Sequence, residues 1–188
     1  VNASIVIFGV TGSGKTTLAK CLAETLGLGV IELDALRHAT GWESVDWPEM
    51  RTALEREIER FTNGWVCEGN YSRVADIALS RVDTVIWLNL PWRITFCRLF
   101  LRSLRRGITR QKLYTDRGPR ESAFTTFATK HSILWWSIHH HHATKRSIQK
   151  LIKTVAPFVR IVELRSPSET KSFIQSVTAG SQEARLEG

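Results

Sequence analysis

The sequence predicts an α/β domain built on a parallel sheet, and three observations predict it. Short apolar, β-branched runs alternate along the chain with longer segments of helical period. The first run ends in a glycine-rich turn that leads straight into a helix-forming stretch. The length of 188 residues suits one domain with a sizeable core.

Ser4 to Phe8 is the first strand, and Lys15 to Leu26 is a helix whose Leu18, Leu22 and Leu26 face a sheet. Gly27 and Gly29 end it, and Val30 to Leu33 makes a second strand with Asp34 at its carboxyl end, where open α/β sheets hold ligand groups. Asp46-Trp47-Pro48-Glu49 is a capping signature. The helix it opens carries Trp47, Met50, Leu54, Ile58 and Phe61 on one face, which reads as core. Trp65 to Cys67 is a third strand, followed by Glu68-Gly69-Asn70-Tyr71-Ser72-Arg73, and Asp83 to Leu90 is a fourth. The helix from Pro91 to Arg106 places Arg98, Arg102 and Arg105 on one face beside an apolar stripe of Cys97, Leu101 and Leu104.

A basic segment from Gly107 to about Glu121, holding Arg117 and Arg120, then reads as a lid, with a basic surface loop as the competing reading. A long helix, continuous or broken, from Ser122 to Val155 follows, with Phe127, Leu134 and Ile138 inward and His139 to His142 forming a polar band. Val159 to Leu164 is the fifth strand, and Ser166-Pro167-Ser168-Glu169 caps the last helix. Residues 1–178 form a single domain, and residues 179–188 are expected to be a disordered tail.

Composition narrows the class of function. Hydrophobic residues at 43% and charged residues at 23% indicate a soluble globular protein. The most apolar stretch, Ile94 to Leu104, is interrupted by Arg98 and Arg102, so no membrane role is expected. Val1 leads directly into strand-like sequence with no signal peptide, and Cys21, Cys67 and Cys97 are widely spaced in apolar segments as buried free thiols; both point to the cytoplasm. The net charge of +8 fits either arginines gathered around phosphates or a nucleic-acid surface.

The chemistry is concentrated in Gly9-Val10-Thr11-Gly12-Ser13-Gly14-Lys15-Thr16, which matches G-x-x-x-x-G-K-[ST] between a strand and a helix. Glycines let successive N–H groups turn inward, and the helix adds the positive end of its dipole. Gly9, Thr11, Gly12, Ser13, Gly14, Lys15, Thr16 and Thr17 are therefore expected to hold ATP. Lys15 reaches the β and γ phosphates, and Thr16 ligates Mg²⁺ with Glu68 or Asp34 acting through water. Asp34, Arg37, Asn70, Tyr71 and Arg73 are expected to bind the phosphate acceptor, joined by Arg117 and Arg120 of the lid. Lys15, Arg102 and Arg106 are expected to stabilise transition-state charge, while Asp34 orients the acceptor hydroxyl and Glu68 arranges metal-bound water, roles the two acids could exchange. A GTPase is disfavoured because Asn89-Leu90-Pro91-Trp92 stands where a guanine-reading segment would follow the fourth strand.

The phosphate loop, Ile31 to Leu36, Glu68 to Ser72, Asp83 to Leu88 with Leu90-Pro91, and the arginine-rich lid together resemble the adenylate-kinase-related P-loop proteins called FlaR-like or DNA topology modulation proteins. The resemblance spans roughly residues 4–175. It implies a P-loop NTPase three-layer sandwich whose five parallel strands run 2-3-1-4-5, with ATP and Mg²⁺ as ligands. It also implies that Arg165 to Ser168 lie near the adenine and that Arg102 or Arg106 contacts ATP at the lid entry. The sequence departs from true adenylate kinases after Glu68, where Asn70-Tyr71-Ser72 separate the glycine from Arg73. The acceptor is thus expected to be a nucleotide-like or hydroxylated small molecule. Nucleic acid, the partner implied by the family label, is the second choice.

Overall fold

The computed structural model describes residues 3–38, 45–109, 133–155 and 158–186. Strands β1 (Ala3–Gly9), β2 (Gly29–Glu32), β3 (Gly64–Glu68), β4 (Thr84–Leu88) and β5 (Arg160–Leu164) form one sheet in the order β2-β3-β1-β4-β5. Every pairing is parallel. The helices are α1 (Lys15–Leu26), α2 (Leu33–Arg37), α3 (Trp47–Arg60), α4 (Ala75–Leu79), α5 (Trp92–Thr109), α6 (Ile133–Val155) and α7 (Pro167–Leu186).

Two faces of one sheet explain why the strands are apolar at consecutive positions. On β1, Ile5 and Ile7 pack with Leu18 and Leu22 of α1, Ile86 and Leu88 of β4, and Phe173 and Ile174 of α7. The alternate residues Val6 and Phe8 belong to the opposite core, with Met50, Leu54 and Ile58 of α3 and Ile148 and Ile152 of α6. The start signals of α3 and α7 and the stop signal of α1 are formed as their sequence predicts. Asp46 accepts from the Glu49 N–H at 2.8 Å to open α3, and Ser166 Oγ accepts from the Glu169 N–H at 3.1 Å to open α7. Gly27, at φ +70°, closes α1.

Several expectations change. Leu33 is not in the second strand: β2 stops at Glu32 and Leu33 begins α2, so Asp34 follows the carboxyl end of β2 in the first turn of a short helix. The buried side of α5 is Thr95 and Leu99, not Cys97, Leu101 and Leu104; Leu101 is 57% exposed and Leu104 41%. The cause is the close approach of α5 to the glycine-rich turn, where a Cβ on Gly12 would meet Thr95 O at 2.4 Å and Leu99 Cβ at 3.3 Å. Of the cysteines only Cys67 is buried, and burial pushes its thiol pKa up; Cys21 is half-buried and Cys97 exposed. Helix α7 continues past residue 178, and Ser181 Oγ donates to Thr25 O at 3.1 Å on α1. In the histidine run, His141 is buried and its pKa is held down by burial and by Lys145 and His142, while His140 and His142 are exposed. Gly107 to Thr109 are the end of α5. The rest of the expected lid with Arg117 and Arg120, the Arg106 side chain, the helix start at Ser122 with Phe127, and the side chains of Leu134, Ile138 and His139 lie outside the described residues. Among the described residues no helix is long and apolar enough to cross a membrane.

Candidate active site

The site forms where β1 and β3 end. Gly12 and Gly14 take φ +82° and +97°, backbone conformations that allow the turn to curl before α1. No side chain caps α1 at Gly14, and no acid occupies its first turn. Its leading N–H groups and dipole are therefore available to an anion. Ser13 Oγ is buried in the same turn with no hydrogen-bond partner among the described residues. This orphaned hydroxyl and the uncapped helix fit a bound phosphate group. Arg98 of α5 donates to Ser13 O at 3.0 Å, which brings one arginine of the predicted row onto the loop. A second, Arg102, lies close enough for its charge to act on Lys15.

Lys15 Nζ donates to Gly9 O at 3.0 Å. Burial lowers its pKa, while Glu68 and then Asp34 act to raise it. Glu68 is 2% exposed at the end of β3 and accepts from Thr16 Oγ1 at 2.9 Å. Desolvation raises its pKa, opposed by Lys15 and by the Thr16 hydrogen bond. Thr16 and Glu68 thus juxtapose hard oxygen donors beside the loop, a set that fits Mg²⁺ retaining several of its waters.

Glu68 at the end of β3 and the three residues after it each reach a different neighbour. Glu68 bonds Thr16, as above. Gly69, at φ +145°, lets Leu33 approach so closely that an added Cβ would meet Leu33 Cβ at 2.7 Å. Asn70 Nδ2 donates to Gly9 O at 2.7 Å. Tyr71 OH donates to Asp34 Oδ1 at 2.7 Å. This short strip fastens the phosphate loop on one side to α2 and its carboxylate on the other.

Beyond Asp34 the structure gathers Arg37, Arg73, Trp47 and Tyr71. The guanidinium carbons of Arg37 and Arg73 lie 4.2 Å and 5.0 Å from the Trp47 ring centroid, and Tyr71 packs against the same indole at 6.2 Å. Arg37 also has a buried nitrogen with no hydrogen-bond partner among the described residues. Trp47 packs against the core as the periodicity of α3 predicts, and its ring is also the platform for two cations. No local sequence signal joins these residues, because positions 37, 47 and 71–73 lie on separate segments of the chain. Arg165 stands apart, donating to Glu163 at 2.9 Å at the end of β5, and Thr17 is exposed.

Neither protein-family models nor curated proteins match this sequence. Among solved structures, the chain is similar to a gluconokinase from Sinorhizobium meliloti 1021, with a TM-score of 0.51 and 18% identity over 98% of this chain and 93% of that one. The chain shares its fold with that gluconokinase.

The buried carboxylate makes a testable contrast between stability and activity. A carboxyl whose folded-state pKa is raised binds its proton more tightly folded than unfolded, so its ionisation costs stability as pH rises from the unfolded value through the folded one. Glu68→Gln keeps an acceptor for Thr16 and does not titrate. Its stability relative to wild type should therefore increase as pH rises above about 4.5, the ordinary glutamate value, and then level off. Its Mg²⁺-dependent turnover should meanwhile fall about 10- to 100-fold. Urea denaturation across that pH range, together with turnover at saturating nucleotide, measures both.

Proposed function

We propose that the protein is an ATP-dependent phosphotransferase that moves the γ-phosphate of ATP to a hydroxyl of a small acceptor carrying an anionic group. The observation that carries this reading is the surroundings of Lys15. Its ammonium feels Glu68, Asp34 and Arg102 together, so the groups expected to face metal, acceptor and nucleotide converge on one phosphate-loop lysine. Similarity to a gluconokinase supports a small hydroxylated acceptor. The narrower grouping with FlaR-like proteins we infer from the sequence motifs alone.

In this mechanism Lys15 leaves Gly9 O and pairs with the β and γ phosphates, while Arg98 and Arg102 supply further positive charge at the loop. Thr16 and Glu68 are the residues that would hold Mg²⁺, which when bound neutralises phosphate charge. Asp34 accepts the proton of the acceptor hydroxyl through its second oxygen, the first being held by Tyr71. The hydroxyl oxygen bonds to the γ-phosphorus as the bond from phosphorus to the β-bridging oxygen breaks, releasing ADP. Because such transfer depends on positioning and charge, fixed donors contribute most of the acceleration. Arg37 and Arg73 hold the acceptor's anion; the buried Arg37 nitrogen, without a partner among the described residues, supports that assignment. From the sequence motifs alone we assign Arg106, Arg117 and Arg120 to phosphate charge and Arg165 to the base.

The test is acceptor-stimulated ADP formation with Mg²⁺ and ATP over sugar acids, sugar phosphates, nucleoside monophosphates and neutral polyols. An anionic hydroxylated compound should exceed its neutral analogue at least about tenfold in kcat/KM. Equal turnover of the neutral analogue would remove Arg37 and Arg73 from the acceptor site.

One observation favours a second reading, ATP-dependent binding of nucleic acid. Helix α5 carries Arg93, Arg98, Arg102, Arg105 and Arg106, and α6 carries Lys145, Arg146, Lys150 and Lys153, with no acid on either. Arg146, Lys150 and Lys153 are exposed. This reading predicts duplex DNA affinity that falls steeply with salt and DNA-stimulated ATP turnover.

A further inference from the structure

We propose that Asn70 is a positioning residue of the phosphate loop, a side-chain continuation of the β1–β3 ladder that frees Lys15 to leave its resting carbonyl. This rests on the phosphotransferase reading above.

The ladder between β1 and β3 runs from Ala3↔Gly64 to Ile7↔Glu68. Past Glu68 the backbone turns away, because Gly69 adopts φ +145° against Leu33. Gly9 therefore has no facing β3 peptide, although it is buried and still pairs with Leu88 of β4 on its other side. Asn70 fills the gap with a primary amide, the same donor and acceptor pair as a peptide. Its Nδ2 donates to Gly9 O at 2.7 Å, and its Oδ1 lies 3.4 Å from the Gly9 N–H that donates to it.

Gly9 O thus receives two donors, Asn70 Nδ2 at 2.7 Å and Lys15 Nζ at 3.0 Å. A carbonyl oxygen can accept both. To engage a phosphate, Lys15 has to release this oxygen. With Asn70 in place the buried carbonyl keeps one partner; without it, the movement of Lys15 leaves the carbonyl unsatisfied. The loss at Gly9 O therefore falls on the nucleotide-bound state more than on the unliganded fold, where Lys15 still satisfies that oxygen and only the long 3.4 Å bond from the Gly9 N–H is given up. A residue that merely filled space beside the loop would not divide its effect in this way.

The test measures Mg²⁺-ATP affinity by calorimetry and unliganded Tm for wild type, Asn70→Ala and Asn70→Asp. Asn70→Ala should bind nucleotide about 10- to 100-fold more weakly with little change in unliganded Tm. Asn70→Asp preserves the shape but cannot donate to Gly9 O, and its charge holds Lys15 back, so it should bind at least as weakly as Asn70→Ala. Wild-type affinity in either variant overturns the proposal, as does a Tm loss in Asn70→Ala that accounts for the whole effect while Asn70→Asp binds normally. If wild type itself binds no Mg²⁺-ATP, the phosphotransferase reading fails, and this role for Asn70 fails with it.

Discussion

Lys15→Ala is expected to lower phosphate transfer about 100- to 1,000-fold, the loss typical of removing one fixed donor from a developing anion. The fold should survive the change. Lys15 is held at a cost, since burial opposes its charge. Gly9 O, which Lys15 occupies, keeps its hydrogen bond from Asn70 at 2.7 Å. The removed cation also leaves Glu68 without its main electrostatic compensation, which shifts that carboxyl's pKa further upward. Steady-state turnover beside a thermal melt separates these effects. A variant that melts like wild type and turns over at the wild-type rate would remove Lys15 from the chemistry.

Asp34→Asn is expected to reduce kcat about 100- to 10,000-fold, the range for losing a positioned general base. Nucleotide affinity should change little, because the contact that fastens this residue to the strip after β3, Tyr71 OH to Asp34 Oδ1 at 2.7 Å, can be kept by an amide oxygen. The separation matters. A loss confined to kcat assigns Asp34 to the acceptor hydroxyl, whereas a loss mainly in ATP affinity would move it to the metal side and give Glu68 the other role. Turnover at saturating acceptor and calorimetric ATP binding distinguish the two outcomes, and an unchanged kcat would eliminate Asp34 as the base.

What the sequence discloses and what it hides divide along a physical line. The loop from Gly9 to Thr16 is local: glycines, lysine and threonine at fixed spacing, with strand before and helix after, determine its conformation within eight residues. The strands are legible for a similar reason, since burial on both faces leaves an apolar run that needs no partner to be recognised. Helix α5 shows where this stops. Its period offers two apolar stripes, and the choice of Thr95 and Leu99 over Leu101 and Leu104 is made by Gly12, about eighty residues earlier in the chain. Trp47 has the spacing of a core residue, and only the arrival of Arg37 and Arg73 from separate segments makes it part of a site. Asn70 is a similar case. Its position after β3 suggests an acceptor contact, and its bond to Gly9 becomes visible only with the turn at Gly69 in place.

The central claim is that this loop transfers phosphate rather than only binding nucleotide. Phosphorus NMR of a reaction containing protein, Mg²⁺, ATP and the best acidic hydroxylated acceptor tests it most directly. The account predicts a new phosphate-monoester resonance that grows in step with ADP and is lost with Lys15→Ala. ADP accumulating with orthophosphate alone, or ATP remaining intact with every acceptor, would contradict it.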